Sequence, residues 1–181
     1  MNAMNMILLS GNSLRNRDWI YEASAQLRLD PNATYIQDYR HWETGEEWID
    51  LPHELETLSQ AAARLETPYA VLAKSIGTVL TTQAIERGVI RPRFLLLCGL
   101  PLGYIESDYP QFAQVINDSG LPTTVVHNQH DPVGESQAVK TYMSKYCRRP
   151  NYHFIETPGD THEYLDYELL QNELAKLQGD K

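Results

Sequence analysis

Residues 68–80 read PYAVLAKSIGTVL, and the parsing of this stretch decides the fold. Tyr69 to Ala73 is a short, unbroken apolar run of the kind that makes a strand buried on both faces. Beyond it Ile76, Val79, Leu80 and Ala84 recur at helical spacing, so the strand turns into a helix at Ser75. A serine at such a turn has its hydroxyl pushed out past the end of the sheet, where the first helical N–H groups also point. Ala73 and Gly77, two residues to either side, are small, as a close crossing of helix and strand requires. The same residues fit a plain serine N-cap on an αβ crossover. The rest of the chain has to choose between an exposed nucleophile and a cap.

Working outward, apolar runs alternate with helical patterns. Met6–Leu9 reads as a first strand that ends at Ser10, Gly11 and Asn12, and Asn16 is placed to cap a helix with Ile20, Ala23 and Leu27 on one face. Thr34–Gln37 reads as a second strand, followed by a polar, aromatic loop over residues 38–52, DYRHWETGEEWIDLP. Asp50, ahead of Leu51 and Pro52, starts a helix with a stripe of Leu55, Leu58, Ala62 and Leu65. The helix after Ser75 stops near Gly88. A fourth strand, Phe94–Cys98, is followed by a loop, GLPLGYIESDYP, and by a short helix carrying Phe112, Val115 and Ile116 that ends at Gly120. Thr123–His127 and Tyr152–Ile155 read as strands five and six. Between them Val139, Tyr142, Met143 and Tyr146 share a helical face, and after the turn TPGDTHEY a final helix is lined by Leu170, Leu174 and Leu177.

Six strands alternating with six helices, without repeat or linker, predict one α/β domain over residues 1–181. The expected architecture is a three-layer αβα sandwich around a mostly parallel six-stranded sheet. Right-handed crossovers bring the C-terminal ends of such strands to one edge, where ligands of open α/β sheets bind. The chemistry is therefore sought in the segment just past each strand.

Composition narrows the function classes. The net charge of −9 and the pI of about 5.1 repel a polyanion over most of the surface, and Arg148 with Arg149 is too small a patch to reverse that, so no nucleic-acid partner is expected. Cys98 and Cys147 are too few for a disulfide framework or a zinc site, and Cys98 inside FLLLC reads as a buried thiol of a reducing compartment. The segment MNAMNMILLSGN lacks the basic stretch and long apolar core of a signal peptide. No run approaches the ~20 apolar residues that span a bilayer. A soluble, cytoplasmic protein with no membrane contact is expected.

AKSIG resembles the GxSxG nucleophile elbow of the α/β-hydrolase family, with Ala73 in place of the first glycine. HNQHDPVG comes after the fifth strand and PGDTHEY after the sixth, so Ser75, Asp131 and His162 occur in that family's chain order. DPV at 131–133 looks like the DxV that carries the acid in many of its members. The resemblance covers nearly the whole chain and implies the strand order 2-1-3-4-5-6. It implies Ser75 as nucleophile, His162 as general base and acid, and Asp131 as the group that holds the imidazole tautomer. SGN looks like the family's HGx segment with Ser10 for histidine. That implies an oxyanion site made by the backbone N–H groups of Asn12 and Ile76, with Gly11 leaving room for close approach or serving only as a turn glycine.

Each residue has competitors. His41 and His53 fall near the loop after the second strand as surface residues, and His127 reads as a satisfied core or edge group. His130 neighbours Asp131 without facing it, and His153 alternates within a strand. Glu106, Asp108 and Glu135 compete with Asp131 for the role of acid. Lys74 leaves the strand away from the Ser75 hydroxyl, either as a solvated lysine or lining the mouth of the site, where it could attract an anionic substrate group. Tyr39, Trp42 and Trp48, with Tyr104 and Tyr109, form an aromatic rim or simply pack their loops.

Only about a dozen residues separate Cys98 from the next predicted helix, too few for a cap domain. An open site results, suited to small or exposed esters, thioesters or amides. The resemblance thus implies a small, capless, carboxylesterase-like serine hydrolase with a small-molecule substrate and no metal or cofactor. Gly11, Lys74, Trp42 and Tyr104 would be its substrate-binding residues. The departures at Ala73 and Ser10 leave a second class open, a non-catalytic binding or scaffold protein that keeps the fold. A nucleotide-binding flavodoxin-like domain is weakened because no GxGxxG or GxxxxGK[ST] loop comes after any strand.

Overall fold

The computed structural model describes residues 4–148 and 152–179. The apolar runs become strands β1 (Asn5–Leu9), β2 (Thr34–Ile36), β3 (Tyr69–Lys74), β4 (Leu95–Cys98), β5 (Thr123–Asn128) and β6 (Tyr152–Thr157). They form one six-stranded sheet in the order β2-β1-β3-β4-β5-β6, and every neighbouring pair is parallel. The sheet is thus wholly parallel, as expected when every connection carries a helix. In register, Leu9 pairs with Ala73, Lys74 with Cys98, and Cys98 with Val126.

Alternation along the strands feeds two cores. Ile7, Leu9, Val71, Ala73, Leu97 and Val125 face α3 (Leu51–Ala62), α4 (Ile76–Glu86), α6 (Phe112–Ser119) and α7 (Ser136–Tyr146). Met6, Leu8, Leu72, Leu96, Cys98 and Val126 face α1 (Arg15–Gln26) and α8 (Tyr167–Gly179) through Trp19, Ile20, Ala23, Leu170 and Leu174. β3 and β5 are buried at every position, which is why their sequences show no polar alternation. This is the three-layer arrangement expected, and Asp50 caps α3 as expected, its Oδ1 accepting from the His53 N–H at 3.2 Å.

Four expectations are corrected. The loop over 38–52 contains a short helix, α2 (Arg40–Thr44), closed by Gly45 at φ 77°, and five residues are too few to show a helical repeat. GLPLGYIESDYP contains α5 (Leu102–Asp108), anchored by buried Leu102 and Ile105 one turn apart. Asn16 does not cap α1: it lies buried inside the first turn, and its side chain is engaged elsewhere. His41 is only 4% exposed rather than a surface residue, because α2 folds its ring onto the loop after β1. Among the described residues no helix is long and apolar enough to cross a membrane.

Candidate active site

β3 delivers Ser75 to the C-terminal edge of the sheet, between β1 and β4. Ser75 has φ 54° and ψ −127°, a conformation that costs a side-chain-bearing residue about 1–3 kcal/mol and is kept only where its surroundings enforce it. Its N–H donates to the Cys98 carbonyl at 2.9 Å, and its carbonyl accepts from the Thr78 N–H and hydroxyl at 2.9 and 2.6 Å. Its own hydroxyl makes no capping hydrogen bond, which removes the plain N-cap reading. A Cβ on Gly77 would lie 2.5 Å from the Ser10 carbonyl oxygen and 2.6 Å from that of Leu9, so only glycine lets α4 cross β1 this closely.

Asp131, in the loop after β5, and His162, in the turn after β6, meet although 31 positions apart. His162 Nδ1 donates to Asp131 Oδ2 at 2.8 Å and approaches Oδ1 at 3.0 Å. A carboxylate only accepts, so Nδ1 carries a proton, and in the neutral ring Nε2 presents the lone pair. That Nε2 is buried with no hydrogen-bond partner, so no hydrogen bond joins it to Ser75 here. The ring lies over Gly99 (φ 60°), where a Cβ would stand 2.8 Å from His162 Cε1 and 2.5 Å from Tyr164 Cε2. Gly99 directly follows Cys98, whose carbonyl holds the Ser75 N–H, so the imidazole sits at the strand exit beside the serine's own.

Burial pushes the Asp131 carboxyl up, but hydrogen bonds from His162 and Tyr164, the imidazole charge and the Val133 N–H at 2.8 Å outweigh it. The net value is below that of an ordinary aspartate. Two bracing residues were not legible in the sequence. Tyr164 donates its hydroxyl to Asp131 Oδ2 at 2.6 Å and accepts from the Asn128 N–H at 3.2 Å. Asn128 Nδ2 donates to the carbonyls of Thr161 and Glu163 at 2.9 and 2.8 Å, the residues on either side of His162, and so fixes the turn. The only sequence signal for either was its position just past a strand or beside the histidine.

The loop after β1 is clamped from two sides. Asn12 accepts at its carbonyl from His41 Nε2 at 2.6 Å and Trp42 Nε1 at 2.8 Å. Its side chain accepts from the Ile49 N–H at 2.8 Å and donates to the Glu47 carbonyl at 2.9 Å. On the other side Ser10 Oγ donates to the Asn16 carbonyl at 2.6 Å, and Gly11 packs where a Cβ would meet the Asn16 amide at 2.6 Å. A side chain at Gly11 would have to displace the Asn16 amide from its hydrogen bonds. The Ile76 N–H is among the helix-start donors without an acceptor one turn earlier.

Other expected residues are placed differently. Lys74 is not solvated: it is 4% exposed, and its Nζ donates to Asn16 Oδ1 at 2.6 Å. Tyr39 and Tyr109 are core residues rather than rim, the first donating to the Ser10 carbonyl and the second to Glu86. Trp42, half-buried, packs its ring against Tyr39 with centroids 4.7 Å apart at a tilt of 44° and serves the Asn12 clamp, while Trp48 is 68% exposed. Tyr104 lies on α5 against the core. His127 is buried, accepting from the Leu100 N–H at 3.3 Å and donating to the Gly134 carbonyl at 2.6 Å. His130 pairs with Glu135 in the open. Among the described residues no three His, Cys, Asp or Glu side chains are grouped to hold a metal ion.

Comparison with known proteins places the fold. No protein-family model matches the sequence, and no curated protein sequence matches it significantly. Solved structures do match in three dimensions. An uncharacterized protein from Bacillus cereus ATCC 10987 superposes with a TM-score of 0.73 at 13% identity over 98% of this chain, which spans 61% of that one. Est1E from Butyrivibrio proteoclasticus, determined with ferulic acid bound, matches with a TM-score of 0.67 at 15% identity over 97% of this chain and 88% of its own. An alpha-beta serine hydrolase homologue from Coxiella burnetii matches with a TM-score of 0.64 at 16% identity over 97% and 85%. The likeness is one of fold.

Proposed function

We propose that this chain, which has the α/β-hydrolase fold, is a serine hydrolase that cleaves a small or exposed ester, thioester or amide through an acyl-enzyme on Ser75. The observation that carries the reading is the 2.8 Å contact of His162 Nδ1 with Asp131, which leaves Nε2 as the ring atom free to take a proton at the edge where the strained serine emerges. Ser75 Oγ attacks the substrate carbonyl carbon as its proton passes to His162 Nε2. The carbonyl oxygen becomes an oxyanion that accepts from the N–H groups of Ile76 and Asn12, and each such donor is typically worth about 10²–10³ in rate. Collapse breaks the bond to the leaving group, which takes the proton from Nε2. Water then gives a proton to Nε2 and attacks the acyl-enzyme, releasing the acid and restoring Ser75. Asp131 stays ionised throughout and stabilises the imidazolium, the role its low proton affinity suits.

A fluorophosphonate probe tests this directly. Labelling of the wild type and none of Ser75→Ala is expected; equal labelling of both would remove Ser75 as the nucleophile. The missing Ser75–His162 hydrogen bond favours a second reading, a non-catalytic binding protein on the same fold. It would show neither labelling nor turnover of p-nitrophenyl esters. Free enzymes commonly hold this contact long and tighten it on substrate, so the hydrolase reading stands first.

A further inference from the structure

Lys74 is a buried cation without a counter-ion. Its Nζ has three donors, and its one hydrogen bond goes to the neutral amide oxygen of Asn16 at 2.6 Å. No carboxylate lies within ion-pair distance of it among the described residues. The Trp19 ring, 5.0 Å away, supports the charge through its π face and is itself fixed by an indole hydrogen bond to the Tyr164 carbonyl at 3.0 Å. Burial lowers the proton affinity of the amine, and the more distant Cys98, Glu163 and Asp131 only partly restore it. A desolvated ammonium in this state gains more from an incoming anion than a solvated one would.

Such an anion has room. Lys74, Asn16, Trp19 and His162 line a cavity of about 620 Å³ between α1 and the 158–165 turn, and Ser75 is not part of its wall. Its mouth carries Asp18, Glu22, Asp160 and Glu163 against the single guanidinium of Arg15. These exposed groups are screened by salt within about 8 Å, yet their excess of negative charge disfavours multiply charged ligands such as phosphates. A single carboxylate meets the ammonium at the floor with the least repulsion at the mouth.

We infer that this cavity is a binding site for a small carboxylate, seated on Lys74 Nζ beside the His162 ring. The site stands on its own geometry, whatever Ser75 does. The carboxylate is either a free acid or a part of the substrate remote from the reacting carbonyl.

Binding is read by NMR titration with propionate and with isosteric, neutral propionamide at constant ionic strength. Propionate should bind at least about tenfold more tightly than propionamide and shift the Trp19 indole signal. Lys74→Met should abolish the difference. Asn16→Asp, which keeps the lysine but supplies it with an internal carboxylate, should do the same, so the test survives if either variant fails to fold. Equal binding of acid and amide to the wild type, or a preference unchanged in both variants, would overturn the site. A second arm separates the two sources of the carboxylate. If the substrate carries it, mono-p-nitrophenyl glutarate should exceed p-nitrophenyl butyrate in kcat/KM by about tenfold, and Lys74→Met should erase that ratio. If the ligand is a free acid, the ratio is near one while propionate alters turnover of the butyrate ester. Absence of all turnover leaves the NMR result intact.

Discussion

The Tyr164 hydroxyl donates to Asp131 Oδ2 at 2.6 Å, so the carboxylate that aligns His162 is itself held from behind. Tyr164→Phe removes this hydrogen bond to a charged group and strips the Asn128 N–H of its acceptor. A loss of about 1–3 kcal/mol in urea-unfolding stability is expected. In ester kinetics the same variant should lower kcat while leaving KM nearly unchanged, since Tyr164 acts through Asp131 rather than on the substrate.

Ser75 holds φ 54° at the expense of stability. Ser75→Gly should raise urea-unfolding stability by about 1 kcal/mol, because glycine occupies this region without penalty. The same variant should abolish ester turnover and fluorophosphonate labelling. A variant less stable than the wild type would mean that the serine is not strained.

Gly99 serves the site by having no side chain. Gly99→Ala places a methyl group 2.8 Å from His162 Cε1 on a backbone already at φ 60°. The imidazole must shift by a sizeable fraction of an ångström, and such displacements can cost up to about 10²-fold in rate. Ester kinetics should show this as a fall in kcat. The amide and side-chain signals of β1 and α3, on the far side of the elbow, should be undisturbed by NMR.

Trp42 and His41 converge on the carbonyl of Asn12. Trp42→Phe keeps an aromatic ring against Tyr39 but deletes the 2.8 Å indole hydrogen bond. If Asn12 supplies an oxyanion donor, kcat should fall by about tenfold with little change in KM, a fraction of what deleting the donor itself would cost. An unchanged kcat would move the second donor elsewhere.

His127 sets an acid limit on stability. Burial pushes its imidazole below the usual value, more than the Gly134 carbonyl and the Asp131 charge restore. The unfolded chain therefore binds a proton first, and the stability His127 confers is complete above about pH 6.5, being lost as the pH falls through the lower folded value. Asp131, whose carboxyl is also lowered, extends the loss below the ordinary aspartate range, near pH 4. Thermal unfolding between pH 7 and 5 should show the first slope in the wild type and a shallower one in His127→Gln.

Much of the architecture was legible in the chain, for a definite reason. Tyr69–Ala73 and Phe94–Cys98 are buried on both faces, so burial is written into composition and the central strands show without tertiary knowledge. Ser75 was visible because a change of period marks the turn on which it stands. The features that escaped depend on partners remote in sequence. Lys74 looked solvated until Asn16, 58 positions away, and the Trp19 ring enclosed it. His41 looked exposed until a helix too short to have a periodic pattern laid it on Asn12. Gly99 passed for a loop residue, because its reason is two rings contributed by a segment more than sixty residues later.

The proposed base and the proposed nucleophile ride on strands of unequal security. β3 is flanked by β1 and β4 and buried throughout, whereas β6 is the last strand, half-covered, with β5 its only neighbour among the described residues. Amide protons along 152–157 should therefore exchange with deuterium sooner than those along 69–74. Each transient peeling of that border would carry the imidazole away with the turn Asn128 pins, and leave Ser75 in place but disarmed. Under gentle denaturant, turnover should fade reversibly while the central strands are still intact.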